Sequence, residues 1–269
     1  MAMRDSSASI DLIQTIALSS VPAITANAEL EVRNRAEGEP GDDPWKNLRE
    51  VSDDQRAVVN GSSLISFVAG LDAVQMSDVI DSTQFAARAA DAKFNRTSQI
   101  RLWYENYVDL LTKLGWVTEG FAFKKSVHNE GTLKLCQEAL GIIAAVATGN
   151  QLAILKSTLD ALKTMAGDSR QIRLFDFNVS VETGGNFQIG AAEDSGNGAI
   201  AMAMGAFYYR SNDQRKNALF INWGSHDIEM WTSAQKMTLD PTFYASLRDP
   251  VRQRLGTKSA ALIASIQIA

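Results

Sequence analysis

Residues 177–192, with the sequence FNVSVETGGNFQIGAA, decide the predicted fold of this chain. Phe177, Val179 and Val181 alternate with polar residues, and this period of two is typical of a half-buried β-strand. The TGGN segment at 183–186 supplies turn-forming residues directly before a second apolar stretch at 187–192. The pattern therefore predicts an antiparallel β-hairpin.

Similar alternation continues towards the C-terminus. Strands are predicted at 200–210, 219–223, 228–232 and 262–268. Polar turns are predicted at 193–198 and 211–217, and Gly224-Ser225 forms a further break. Because short turns join neighbouring strands, these segments predict an antiparallel β-meander of about five or six strands.

The preceding part of the chain shows helical periodicity instead. Helices are predicted at 10–18, 53–69, 77–94, 99–114, 133–147 and 152–166. The clearest apolar stripe belongs to 99–114, and Gly115 stands where a helix C-cap is expected. A single strand is predicted at 116–127, followed by a turn at 129–131, and a last helix at 243–255 is capped by Asp240-Pro241.

This order of elements predicts an α+β fold in which N-terminal helices pack on one face of a C-terminal antiparallel β-meander. A chain of 269 residues is compatible with one large core, so we expect a single domain over 1–269. Within it, 1–50 forms an N-terminal helix and an acidic loop, 51–168 a mainly helical layer, and 169–269 the meander with a C-terminal helix.

Composition narrows the range of partners and compartments. The net charge of −5 provides no positive field for phosphates, so we expect no nucleic-acid partner. Cys136 is the single cysteine and cannot form an internal disulfide. The apolar segment at 12–24 resembles a signal peptide, but Asp11 and Pro22 argue against that interpretation. We expect a cytoplasmic protein, or one exported without a classical signal peptide.

Metal and cofactor patterns are weak. The two histidines, His128 and His226, stand far apart and belong to no zinc-binding cluster. The segment at 193–197 lacks the alternating ligands of a calcium loop, and no glycine-rich nucleotide loop is present. We therefore expect neither a metal nor a cofactor.

Catalytic patterns are also weak. Ser-His-Asp at 225–227 contains the residue types of a hydrolytic triad, but adjacent side chains point apart on a strand. The remaining candidate is an acid–base pair of His226 with Glu229 or Tyr208. The absence of stronger catalytic patterns favours a protein without enzymatic activity.

Cys136 lies on the apolar stripe of its predicted helix, beside Leu133 and Leu140. One interpretation is a small apolar core residue. The alternative is a modification site, for example for a long acyl chain. The same helix is apolar at 139–147, which is typical of a buried segment or of one that faces lipid. Burial in the core is favoured, because Lys134, Glu138 and Lys156 would be unfavourable in hydrocarbon.

These observations favour a non-catalytic interaction protein, such as an effector or toxin-like protein that acts on a protein partner or a membrane surface. The alternative is an enzyme or a small-ligand-binding protein with a pocket between sheet and helices. Tyr208, His226 and Glu229 would then be its polar groups, and a small apolar molecule or an acyl group its ligand.

Overall fold

A computed structural model gives the architecture of the chain. It describes residues 6–20, 56–126, 132–165, 169–181, 184–196, 198–211, 219–220, 223–224, 228–256 and 263–267. The helices are α1 (Ser7–Thr15), α2 (Ala73–Lys93), α3 (Ile100–Lys113), α4 (Leu135–Ala144), α5 (Gly149–Thr164), α6 (Arg170–Val179), α7 (Pro241–Ala245) and α8 (Arg248–Leu255). The strands are β1 (Arg56–Asn60), β2 (Ser63–Phe67), β3 (Trp116–Thr118), β4 (Lys124–Ser126), β5 (Thr132–Leu133), β6 (Ser180–Val181), β7 (Gly184–Asp194), β8 (Ile200–Ser211), β9 (Trp223–Gly224), β10 (Ile228–Leu239) and β11 (Ile263–Gln267).

The fold is α+β, as predicted, and is built around one large, mostly antiparallel sheet. The strand order is β11-β1-β2-β7-β8-β10-β3, with β4 paired to β10 and β6 paired to β7. Three long strands that are neighbours in the sheet, β7, β8 and β10, form its antiparallel centre. The predicted terminal strand is confirmed, because β11 joins the sheet beside β1.

The prediction of a helix at 53–69 is wrong. In the described part of this segment, β1 and β2 form an antiparallel hairpin that turns at Gly61, whose φ is +61°. β2 also pairs with β7 in parallel, so it is an interior strand buried along its whole length. An interior strand carries apolar residues on both faces, here Leu64 on one and Ile65 on the other, so it lacks alternation and its sequence resembled a helix.

Two predicted meander strands also differ. Residues 177–179 belong to α6, where Ile172, Phe175 and Val179 are buried at helical spacing, and Gly184 and Gly185 lie in β7 instead of a turn. The segment at 219–223 inserts no strand between β8 and β10, which pair directly. Its end contributes β9 to a separate two-stranded sheet with β5.

Other helical predictions are confirmed with small changes of boundary. α3 and the α4–α5 hairpin lie where the periodicity placed them, and Gly115 has the positive φ of a C-cap, at +97°. The predicted strand at 116–127 is divided into β3 and β4. The predicted C-terminal helix is divided into α7 and α8. The turn at 129–131 and the acidic loop before residue 51 lie outside the described residues.

Helices cover both faces of the sheet, not one face as predicted. α1, α2, α3, α7 and α8 contribute to one apolar core, together with Val58 of β1. α4, α5 and α6 contribute to a second core, together with Val59 of the same strand. Adjacent residues of a strand point to opposite faces, so β1 contributes to both cores.

The apolar α4 helix packs on the sheet. Ala139 and Ile143 are buried, whereas Gly141, Ala144 and Ala145 are exposed. The core placement expected for this segment is thus correct for one side of the helix. In the described portion of the chain, no helix has both the length and the hydropathy needed to cross a membrane.

Candidate binding site

A cavity of about 650 Å³ opens on the sheet face that carries α3. α3 forms one wall, the connection between β3 and β4 forms another, and the ends of β8 and β10 form the floor. The lining residues are mostly apolar or aromatic: Ile100, Arg101, Tyr104, Glu105, Val108, Glu119, Gly120, Phe121, Ala122, Phe123, Tyr208, Arg210 and Trp231. We call this space the aromatic cavity.

The floor is set by the register of the central strands. Tyr208 of β8 lies directly opposite Trp231 of β10, and their rings stack with centroids 5.1 Å apart. The guanidinium of Arg210 lies 5.6 Å from the Tyr208 ring centroid and 5.7 Å from that of Trp231. Its Nε donates a hydrogen bond to the Tyr208 hydroxyl. Because alternate residues share a face, the strands assemble a cation on a two-ring platform.

A second cation lies on the far side of this platform. Lys125 of β4 is paired with Trp231, and its ammonium lies 5.5 Å from the Trp231 ring centroid. The same ammonium donates a hydrogen bond of 2.5 Å to Glu229. This contact holds the pKa of the Glu229 carboxyl below its ordinary value. Glu229 is therefore poorly suited to proton transfer near neutral pH.

The α3 wall is an aromatic cluster fixed by buried hydrogen bonds. The ring centroid of Tyr104 lies 5.2 Å from that of Phe121 and 4.7 Å from that of Phe123. The Tyr104 hydroxyl donates to Asn186 Oδ1 over 2.5 Å and accepts from Gln188 Nε2 over 2.8 Å. Burial raises the pKa of Tyr104 far above its ordinary value, so the phenol stays neutral. These contacts fix the ring that faces the aromatic cavity.

The candidate residues from the sequence are only partly brought together. Tyr208 and Glu229 share one face of the sheet, because the Tyr208–Trp231 and Arg210–Glu229 pairs are two positions apart along both strands. His226 lies outside the described residues, so an acid–base pair that includes it stays a prediction. Sequence reasoning missed Arg210, Phe121 and Phe123 as parts of a site. The one signal for these residues in the sequence was that Phe121 and Phe123 are two positions apart.

Cys136 lies elsewhere, on the opposite side of the sheet. It is half-buried on α4, packs against the second core, and does not line the aromatic cavity. Its backbone N–H donates to the carbonyl of Leu219 over 3.1 Å. Burial raises the pKa of the thiol, which lowers the thiolate fraction at neutral pH.

The described residues form no assembled metal-binding centre. No group of three His, Cys, Asp or Glu side chains there converges in a way that could hold an ion.

Comparison with known proteins gives weak structural neighbours. No protein-family model and no curated protein sequence matches this chain. In fold, it is similar to a delta-endotoxin (11% identity, TM-score 0.42, covering 67% of this chain and 81% of that one). It is also similar to the activated Cyt2Ba monomer from Bacillus thuringiensis subsp. israelensis (14% identity, TM-score 0.43, covering 67% and 97%). A third similar structure is the Evf virulence factor (12% identity, TM-score 0.35, covering 85% and 90%). These neighbours are toxin-like proteins and a virulence factor, and so weak a likeness implies nothing about function.

Proposed function

We propose that this chain is a non-catalytic interaction protein of the effector or toxin-like kind, and that the aromatic cavity is where it contacts a membrane surface. The observation that carries the proposal is the Tyr208–Trp231 platform with Arg210 and Lys125 beside it. Tyrosine and tryptophan combine an apolar body with a polar tip, and they concentrate with basic residues at the membrane–water interface.

The charge of the site favours a neutral lipid surface over a strongly anionic one. Lys125 is already paired with Glu229, and Arg101 with Glu105 at 3.4 Å. The whole chain carries a net charge of −5, which opposes attraction to an anionic bilayer. Insertion of aromatic side chains would then supply most of the binding.

A co-sedimentation assay with zwitterionic phosphatidylcholine vesicles tests this proposal. We expect the wild-type chain to sediment with the vesicles and Trp231→Ser to lose about tenfold in affinity. Val74→Ser is the matched control, because Val74 is 48% exposed at the start of α2 and does not line the aromatic cavity. Release of a trapped dye would support a toxin-like activity.

The proposal fails if the wild-type chain does not sediment with vesicles of any charge, or if Val74→Ser weakens binding as much as Trp231→Ser. Circular dichroism must show that both variants keep the wild-type fold.

The size and lining of the cavity favour a second candidate, a small-ligand-binding protein. A volume of about 650 Å³ lies within the range that is typical of small-molecule sites, and the lining is predominantly apolar with a few polar groups. This function requires no membrane.

A further inference from the structure

We infer that the aromatic cavity selects a small monoanion with an aromatic or alicyclic body, whose carboxylate or sulfonate group pairs with Arg210. The inference rests on the cavity as a binding site, the second candidate function, and adds the chemical class of the ligand. It does not depend on membrane binding.

The first step is the state of Arg210. Its Nε is used by the Tyr208 hydroxyl, and its guanidinium lies over two aromatic rings. Its terminal nitrogens form no hydrogen bond with any residue that the structure describes. The planar fork of arginine matches the two oxygens of a carboxylate, and the ring platform already orients that fork.

The second step is the absence of competition from the nearest carboxylate. Glu229 lies opposite Arg210 in the strand register, but its oxygen accepts the 2.5 Å hydrogen bond from Lys125. Lys125 therefore draws Glu229 to the β4 side of the sheet. Arg210 acts on Glu229 only through its charge, without direct contact, so a ligand anion could bind Arg210 without displacing an ion pair of the described residues.

The third step concerns the other charged groups that line the cavity. Arg101 and Glu105 form an exposed pair within α3 and neutralise each other. Glu119 is exposed and follows Thr118, which lies opposite Met237 in the strand register. Arg210 lies opposite Glu229, far from Met237 along β10. Met237 and Glu229 are eight residue steps apart along β10, which corresponds to roughly 26 Å. Among the charged residues that line the cavity and that the structure describes, Arg210 is thus the one at the platform end without an ion-pair partner in direct contact.

The fourth step is the apolar body of the ligand. Tyr104, Phe121 and Phe123 form one aromatic wall, and Trp231 with Tyr208 forms the floor. Aromatic rings pack favourably against such surfaces in stacked or edge-on arrangements. A flat ring system with one anionic substituent satisfies both the walls and Arg210.

Calorimetric titration of the full chain with three matched compounds tests the inference. The compounds are 2-naphthoate, the neutral 2-naphthylmethanol and the cationic 2-naphthylmethylammonium. We expect 2-naphthoate to bind about tenfold or more tightly than either of the others. Arg210→Gln should remove this preference, so that 2-naphthoate binds no more tightly than 2-naphthylmethanol.

Arg101→Gln is the matched control, because it removes the same charge from the same cavity rim. It should leave the preference for 2-naphthoate intact. Equal affinity for the three compounds, or an equal loss in both arginine variants, would overturn the inference while the cavity stays a binding site. Failure of all three compounds to bind would overturn the inference together with the small-ligand function. The membrane proposal is tested separately by the vesicle assay.

Discussion

Arg252 on α8 and Asp81 on α2 are 171 positions apart in sequence and are joined by a 2.8 Å hydrogen bond from the guanidinium Nε to a carboxylate oxygen. The neighbouring Arg248 donates two hydrogen bonds of 2.7 Å to Asp78. Both carboxylates are buried, with side chains 1–2% exposed. The C-terminal helix α8 is therefore attached to α2 by two charge pairs in which the carboxylate is buried and the arginine is partly exposed.

The first prediction concerns the pH dependence of stability. Burial raises the pKa of Asp81 from 3.8 to about 6, because the loss of hydration outweighs the hydrogen bond and the charge of Arg252. Between pH 3.8 and about pH 6 the folded chain binds more protons than the unfolded chain. The contribution of Asp81 to stability is therefore fully present below pH 3.8. It is lost as the pH rises through about 6, and it reaches at most about 3 kcal/mol.

Urea unfolding at about pH 5 and about pH 7.5 measures this effect. Asp81→Asn should reduce the fall in the free energy of unfolding between the two pH values. The control is Asp109→Asn, which changes an exposed carboxylate paired with Lys113 on α3. An unchanged pH dependence in Asp81→Asn would show that this carboxyl is not the group that titrates.

The second prediction separates two tyrosines of the same helix. Tyr104→Phe leaves Asn186 and Gln188 without their shared hydroxyl partner, and we expect a loss of about 1–3 kcal/mol in the free energy of unfolding. Tyr107→Phe should cost less than about 1 kcal/mol, since the one contact of its hydroxyl with a described residue is with the sulfur of Met204, at 4.0 Å. Denaturant unfolding of both variants checks this, and equal losses would contradict it.

Sequence periodicity could predict α3 because its apolar stripe repeats within one element. It could not predict β1 and β2, because the parallel pairing of β2 with β7 joins residues more than a hundred positions apart. The aromatic cavity could not be predicted from the sequence for the same reason. Alternation indicates the face on which Tyr208 lies, but only the strand register shows that Trp231 is its partner and that Lys125 reaches Glu229.

The third prediction concerns Gly184, which the sequence placed in a turn. In β7 a Cβ atom at this position would lie 2.5 Å from the backbone oxygen of Tyr209 on β8. The close approach of two paired strands requires glycine here, and backbone atoms cannot rotate away as a side chain can. Gly184→Ala should therefore lower the free energy of unfolding by about 1–3 kcal/mol.

Gly141→Ala is the matched control for this substitution. Gly141 lies in α4 and is exposed, and a Cβ atom there meets nothing within 4 Å. Alanine is the better helix former, so this variant should be stabilised by about 0.5–1 kcal/mol. Thermal and denaturant unfolding compare the two variants, and a neutral Gly184→Ala would contradict the proposed steric role.

The last prediction concerns Cys136. Burial on α4 raises the pKa of its thiol, and the thiolate is the species that reacts with alkylating agents. Iodoacetamide should therefore modify the folded chain about tenfold or more slowly than the urea-unfolded chain near neutral pH. The folded rate should increase as the pH rises. A core role requires that the peptide containing Cys136 has its unmodified mass in the protein isolated from its native source. A larger mass on the peptide that contains Cys136, with a reactive thiol in the recombinant chain, would instead favour the acyl-modification hypothesis.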